Sequence, residues 1–286
     1  MQSKAKKHPS NNNITAKNYA AQAESSITKN AILFKKNNAP VMGDSGIMLA
    51  IAKQIKSSVH FSLPDNGVIF DDNLKGLEEK EINLPFYSIT VETALINNGD
   101  NRQNKRLILA SNVEDRICII SARASNEGTW MINPCMCSIT NGTTLNDYTN
   151  VEFKTILPLI FRHSDESIEH LQQDSRMALV TVLELIEALS CTNVEISTHQ
   201  PASPKNAQRI KSHKLPIYET KVLTIKAGKE SLSNADNGIK GNHASPRQHL
   251  RRGHIRQLKS GNIWVNSCVV GSKEHGVIDK SYKVTA

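Results

Sequence analysis

Three rhythms of apolar and polar residues follow one another along this chain. Up to residue 43 there is almost none: Asn, Lys, Ser and Ala dominate, and the stretch reads as a flexible basic arm or a loosely helical lead-in. Behind Asp44, Ser45 and Gly46, the residues Ile47, Met48, Leu49, Ile51, Ala52 and Ile55 recur at helical spacing and predict one short amphipathic helix. Residues 71–83 are acidic and polar, as in a loop or surface helix.

The second rhythm is β-branched and aromatic. Residues 86–96 predict a strand, and the Asn-rich tract 97–105 predicts the loop that closes a hairpin. Residues 106–110, 116–121 and 129–133 follow as further strands, which points to an antiparallel meander. Val151 to Phe161 is another apolar run, interrupted by Pro158.

The third rhythm is a long helical stripe. Ser164 offers a cap and Asp165 and Glu166 favour a first turn. Ile168, Leu171, Leu179, Val182, Leu183, Ile186 and Leu189 then make a stripe wide enough to cover a sheet face. Residues 198–205 read as a linker, 217–225 as a strand, 228–245 as a polar loop and 277–284 as a last strand. No repeat at solenoid periods is present. The expected fold is α+β: a mostly antiparallel sheet with one long packed helix and a basic β-hairpin C-terminal portion. It divides into a basic arm (1–43), an α+β body (44–200) and a basic β-rich portion (201–286) packed on that body.

Charge changes this picture through its distribution. The 286 residues carry a net charge of +8, long enough for one large domain or two modest ones. Residues 1–43 hold seven lysines against one glutamate, and residues 205–286 hold sixteen cations against five acids. Between them, residues 44–204 hold twelve cations against twenty-one acids. An acidic body with two basic ends favours an acidic partner such as nucleic acid; the plainer alternative is solvated tails. The five cysteines (Cys118, Cys135, Cys137, Cys191 and Cys268) are odd in number and scattered, as expected for reduced thiols in the cytoplasm. No apolar run reaches eighteen residues, so no membrane span is expected.

The densest chemistry lies between Arg247 and Val265. Arg247, His249, Arg251, Arg252, His254 and Arg256 crowd ten positions, and a turn at Lys259 to Asn262 leads into Ile263, Trp264 and Val265. Arginine forks suit phosphates, so Arg247, Arg251, Arg252, Arg256 and Lys259 are the candidate nucleic-acid ligands. Trp264 could stack on a base, though a core role suits a tryptophan as well. The same cations could instead serve packing and ion pairing within the fold.

Other chemistry is weaker. His249 and His254 could supply the base and acid of a metal-independent ribonuclease, but a spacing of five puts them on opposite faces of a regular strand unless Gly253 marks a bulge. Cys135 and Cys137 invite a zinc reading; no second pair has the spacing a structural site needs, and buried core suits them better. Asp71, Asp72, Glu78 and Glu79 lack the separated pairing of metal-assisted hydrolysis and read as solvated surface. No phosphate-cradling glycine loop or G-x-S-x-G elbow is present, so the nucleotide-hydrolase, dehydrogenase and serine-hydrolase classes drop out. No cofactor is expected.

Three blocks carry a resemblance: Leu84 to Glu92, Pro204 to Ile225, and His249 to Arg256 with Ile263 to Val265. In them the chain resembles a family of uncharacterised proteins of bacteriophages and prophages. The resemblance implies a viral gene product and brings no activity or residue role. The leading expectation is therefore a phage-encoded, non-enzymatic protein that binds nucleic acid or its associated machinery in the host cytoplasm. The alternatives are the ribonuclease using His249 and His254, and an interaction factor that sequesters a host protein.

Overall fold

Helix α1 (Tyr19–Lys36) fills much of the stretch that the sequence marks as a basic arm. Ala20, Ala23, Ile27 and Ala31 are buried at spacings of three and four, while Lys29, Lys35 and Lys36 point to solvent. The arm reading is corrected for a physical reason. Alanine adds little apparent hydrophobicity, yet it packs closely and orders at almost no side-chain entropy cost. In this computed structural model the described residues are 17–63, 81–96, 103–144, 151–163, 166–201, 203–225, 247–251, 254–265, 268–270 and 272–277. Asp71, Asp72, Glu78 and Glu79 lie outside them, as do the expected cap Ser164 and the expected first-turn acid Asp165.

Helix α2 (Ser45–Ser57) packs on α1 and runs into β1 (Val59–Ser62). The meander follows: β2 (Ser88–Ile96), β3 (Gln103–Val113), β4 (Arg116–Ala124), β5 (Trp130–Ile132), β6 (Cys135–Thr140) and β7 (Glu152–Thr155). The apolar run after Val151 divides at Pro158, which opens the short helix α3 (Pro158–Arg162) as proline does at a first turn. Helix α4 (Ile168–Leu189) is the predicted long helix, about 33 Å in length at 1.5 Å per residue. Its cap is Ser167, whose side chain accepts from the His170 N–H at 3.3 Å. Beyond it lie β8 (Val194–His199), helix α5 (Ser203–Lys211) and β9 (Thr220–Ile225).

These nine strands form one sheet in the order β7-β6-β4-β3-β2-β1-β9-β8, with β5 beside β4. The pairings from β2 to β7 are antiparallel, as is β8 with β9. Strand β1 is parallel to both neighbours, with Val59 opposite Ile89 and Phe61 opposite Lys221. The sheet is therefore mixed rather than mostly antiparallel. The sequence hid this because a four-residue strand leaves no usable periodicity.

Strand β3 shows why the sheet needs two covers. Ile108 and Ala110 face α4 together with Phe61, Ile89, Val91, Ile117 and Ile119. Leu107 and Leu109 face the other way, against Ile27, Ile51, Ile55, Trp130 and Leu157. A strand apolar on both faces belongs between two layers. Helices α1 and α2 supply one layer and α4 the other, so α4 is not the sole long packed helix.

The C-terminal portion is not one hairpin. Strand β10 (Arg247–Arg251) pairs with β13 (Cys268–Val270) and β14 (Ser272–Val277) in a three-stranded sheet. Strands β11 (His254–Leu258) and β12 (Gly261–Val265) form a separate two-stranded hairpin. Among the described residues the last strand is β14, and the strand expected over 277–284 lies, beyond Val277, outside them.

Ile27 is wholly buried beneath α1. Ile27→Ala is expected to cost about 3 kcal/mol in urea unfolding. A mobile arm would lose nothing, so an unchanged midpoint would refute the packed helix.

Candidate functional site

Two polar clusters inside the body resemble catalytic constellations and must be weighed first. On the α1-facing side of β1 and β2, Ser58, His60, Ser88, Thr90 and Glu92 form a buried ladder. The Ser58 hydroxyl donates to the Gln54 carbonyl at 2.7 Å, so at 2.6 Å the Ser88 hydroxyl donates to it. His60 Nδ1 lies 2.6 Å from Thr90 Oγ1, and its ring stacks on Tyr218 at 4.9 Å. Burial lowers the His60 pKa to about 4. Burial also raises the carboxyl of Glu92, opposed by the N–H groups at the start of α1 and by Lys17. Glu92 Oε1 accepts from the Ala20 N–H at 2.9 Å.

The second cluster ties α4 to β3, β4 and β6. Arg106, almost wholly buried, pairs with Asp174 at 2.8 Å. Ser121 Oγ donates to Asp174 Oδ2 at 2.6 Å, and Asn133 Nδ2 reaches the same oxygen at 3.0 Å. Ser175 Oγ lies 2.7 Å from the Cys135 carbonyl, and the Cys137 thiol lies 3.2 Å from the Ser175 carbonyl. Burial pushes the Cys137 thiol up to about 12 and raises Cys135 as well. Thiols held protonated are poor metal ligands and poor nucleophiles. The first cluster is buried and the second is buried except for Asp174, whose side chain is a third exposed, and both fix helices to the sheet by side-chain bonds of set geometry. Among the described residues no group of three or more His, Cys, Asp or Glu side chains is arranged to hold a metal. An open depression of about 430 Å³ lies elsewhere, between the start of α5 and the approach to β9. Its lining of Gln200, Pro201, Ser203, Asn206, Ile217 and Glu219 pairs no base with a nucleophile.

The basic surface lies outside the three layers. In the β11–β12 hairpin, Arg256 opposes Ile263 and Ile255 opposes Trp264. Lys259 and Ser260 make the turn, and both are exposed. Gly261 follows at φ +122, and a Cβ there would sit 3.1 Å from Thr192 Cγ2, so the position demands glycine twice over. Strand alternation puts Arg256 and Leu258 on one face and Ile255, Asn262 and Trp264 on the other. Arg256 and Leu258 are exposed, whereas Asn262 is buried. Trp264 therefore does not share a face of the hairpin with Arg256.

The hairpin is held by the turn that ends α4. Asn193 Nδ2 donates to the Trp264 carbonyl and Asn193 Oδ1 accepts from the Trp264 N–H, both at 2.7 Å. Thr192 N–H donates to the Asn262 carbonyl at 2.9 Å. Every residue of α4 from Thr181 to Ala188 is buried, Glu184 and Glu187 included. A sheet covers one side of a helix only, so the chain covers α4 on its other side too.

The remaining candidates part company. Arg247, His249 and Arg251 stand in β10, opposite Ser272, Val270 and Cys268. His254 opens β11, opposite Val265. The two histidines thus occupy different strands of different sheets, and a shared strand with a bulge is not their arrangement. Arg252 and Gly253 lie outside the described residues.

Sequence reasoning missed α5. Residues 203–214 carry Lys205, Arg209, Lys211 and Lys214 with no acid, and only Arg209 among these cations is half-buried. Arg209 Nε donates to the Leu215 carbonyl at 2.8 Å, and Asn206 bonds both backbone groups of Ile217, each at 2.9 Å. The signal is Ser203 followed by Pro204, a helix start that the surrounding prolines and polar residues disguise as a linker.

Two tests belong to this geometry. His60 is neutral when folded, and its unfolded pKa of about 6.5 lies above its folded value, so its stability contribution is full above 6.5 and is lost as pH falls from there to about 4. His60→Gln is expected to flatten that acid slope by about 3 kcal/mol in urea titrations across the window; an unchanged slope would exclude His60 as its source. Asn193→Ala removes two backbone contacts and is expected to weaken hairpin docking by about 2–3 kcal/mol, with the half-buried Trp264 red-shifting in emission while global unfolding changes little. No family model, no curated protein and no solved structure matches this chain.

Proposed function

We propose that this is a non-enzymatic, phage-encoded protein that binds nucleic acid in the host cytoplasm through a discontinuous basic surface. The observation that carries the reading is the exposure of acid-free cations on two elements outside the packed layers. These are Lys205, Lys211 and Lys214 on and after α5, and Arg256 and Lys259 on the hairpin. Exposed cations on segments that themselves carry no acid suit a phosphate ligand. Arg247, Arg251 and Arg252 join them as ligands by composition. The viral origin rests on the resemblance alone. No helix among the described residues is long and apolar enough to cross a membrane.

The two elements flank the ends of β8. The hairpin is tied to Thr192 and Asn193, just before the strand, and α5 begins four residues after it. Six residues of strand set them about 20 Å apart, a span of roughly six phosphates along one strand of a duplex. Such a surface contacts backbone rather than base edges, so the expected binding is sequence-tolerant.

Fluorescence anisotropy with labelled 20-mers of single- and double-stranded DNA and RNA tests this directly. Affinity is expected to fall steeply with salt, by a log–log slope of about −0.9 per duplex phosphate contacted. Arg256→Glu with Lys259→Glu, Lys205→Glu with Lys211→Glu, and Arg251→Ala with Arg252→Ala should each weaken binding to all sequences alike. Absence of binding at low salt, or mutants that bind as the parent does, would overturn the reading.

A further inference from the structure

The outer face of the first two helices carries an apolar patch that the sheet does not use. Helices α1 and α2 pack on each other, and residues 37–44, folded into turns, join them. The two therefore run antiparallel, with the end of α1 beside the start of α2. Ile32, Leu33, Met42 and Ile47 surround that junction and are between 42 % and 54 % exposed. They are the densest run of exposed large apolar side chains along the described chain. The charge around them is one-sided. From residue 25 to residue 63 the chain holds five lysines and a single acid. Lys29, Lys35, Lys36, Lys53 and Lys56 are all exposed, whereas Asp44 is buried and accepts from the Ile160 N–H at 2.8 Å.

We propose that this face docks an acidic amphipathic helix of a partner protein, laid along the groove between α1 and α2. Paired helices offer a third one a groove in which its apolar ridge seats. Here that ridge covers Ile32, Leu33, Met42 and Ile47, and acids on the incoming helix meet lysines at both ends. Lys35 and Lys36 stand at the junction, with Lys29 about 10 Å back along α1 at 1.5 Å per residue. Lys53 lies about 9 Å along α2 from Ile47. The occupant thus needs an apolar stripe of about two turns with acids at either end. Other occupants fit less well. A second copy would set lysine against lysine, which repels. Nucleic acid would lose phosphate hydration over four apolar side chains that return no hydrogen bond. Membrane-surface helices sink their apolar side about 5–10 Å into the headgroups, with Trp, Phe or Leu on it. These four side chains are half sunk among their neighbours, and Phe34 packs inward on the core. The docking face goes beyond the nucleic-acid reading and shares no residue with it.

Fluorescence anisotropy tests this with a labelled helical peptide of about 18 residues, leucines at i, i+3, i+4 and i+7 and glutamates towards both ends. Saturable binding is expected, with dissociation on the order of tens of micromolar. Leu33→Glu with Ile47→Glu should weaken it tenfold or more. Both side chains are exposed, so circular dichroism and nucleic-acid binding should stay as in the parent. Lys29→Glu with Lys36→Glu should also weaken it, and should favour a peptide carrying lysines in place of the glutamates. A merely structural effect would not reverse with the charge of the peptide. Vesicles of phosphatidylglycerol with phosphatidylcholine, and light scattering up to about 500 µM, test the other occupants. No saturable peptide binding, or double variants that bind the peptide as the parent does, would overturn the proposal. So would vesicle binding or self-association that Leu33→Glu with Ile47→Glu abolishes. The peptide assay contains no nucleic acid, so the docking face and the basic surface fail separately.

Discussion

Everything in this fold depends on β3 being apolar on both faces. Leu107 and Leu109 on one side, and Ile108 and Ala110 on the other, cannot both be covered by a single layer. At about 25 cal/mol per Å², leaving either face wet would cost more than a domain's usual margin of stability. The chain therefore supplies helices before the meander and a helix after it. The polar ladders follow from that demand. His60, Thr90 and Glu92 fix where α1 sits, and Arg106 with Asp174 fixes where α4 sits, since apolar contact alone is non-directional.

The meander and the two amphipathic helices were legible because their side chains repeat at 2 and 3.6 residues. Helix α2 and strands β2, β3 and β4 lie within a few residues of their predicted places. What escaped has other physical signatures. Helix α1 packs through alanines, which carry almost no periodic signal beside its lysines. Strand β1 spans four residues and takes its parallel neighbours from remote parts of the chain, which no local pattern encodes. The candidate site was half legible. Cation density marked the region 247–259, but only pairing register reveals that Arg256 and Trp264 face apart, or that β10 belongs to another sheet.

The charge asymmetry acquires a structural meaning in this arrangement. The acidic middle of the sequence makes the sheet and α4, where several of its acids are used internally: Asp174 on Arg106, Glu152 on Arg116, Glu166 on Arg123. The cations of α5 and of the hairpin lie beyond the helical covers. Both elements are positioned by side chain-to-backbone bonds, from Asn206 to Ile217 and from Asn193 to Trp264. Asn206 and Asn193 do this clamping, with Arg209 adding a bond to the Leu215 carbonyl, while Lys205, Lys211, Lys214, Arg256 and Lys259 stay exposed.

That division argues against chemistry in the body. A general acid or base must exchange protons with a bound substrate, so it needs access as well as a shifted pKa. His60 has the shift but sits beneath α1, stacked on Tyr218, with its Nδ1 committed to Thr90. Cys137 has the shift but in the direction that silences a thiol. The perturbed groups record the cost of burying polar anchors, not preparation for a reaction. The exposed cations on α5 and the hairpin, in contrast, are Lys205, Lys211, Lys214, Arg256 and Lys259. We therefore read the exposed cations of α5 and the hairpin, rather than the buried polar clusters, as the surface proposed to meet a polyanion.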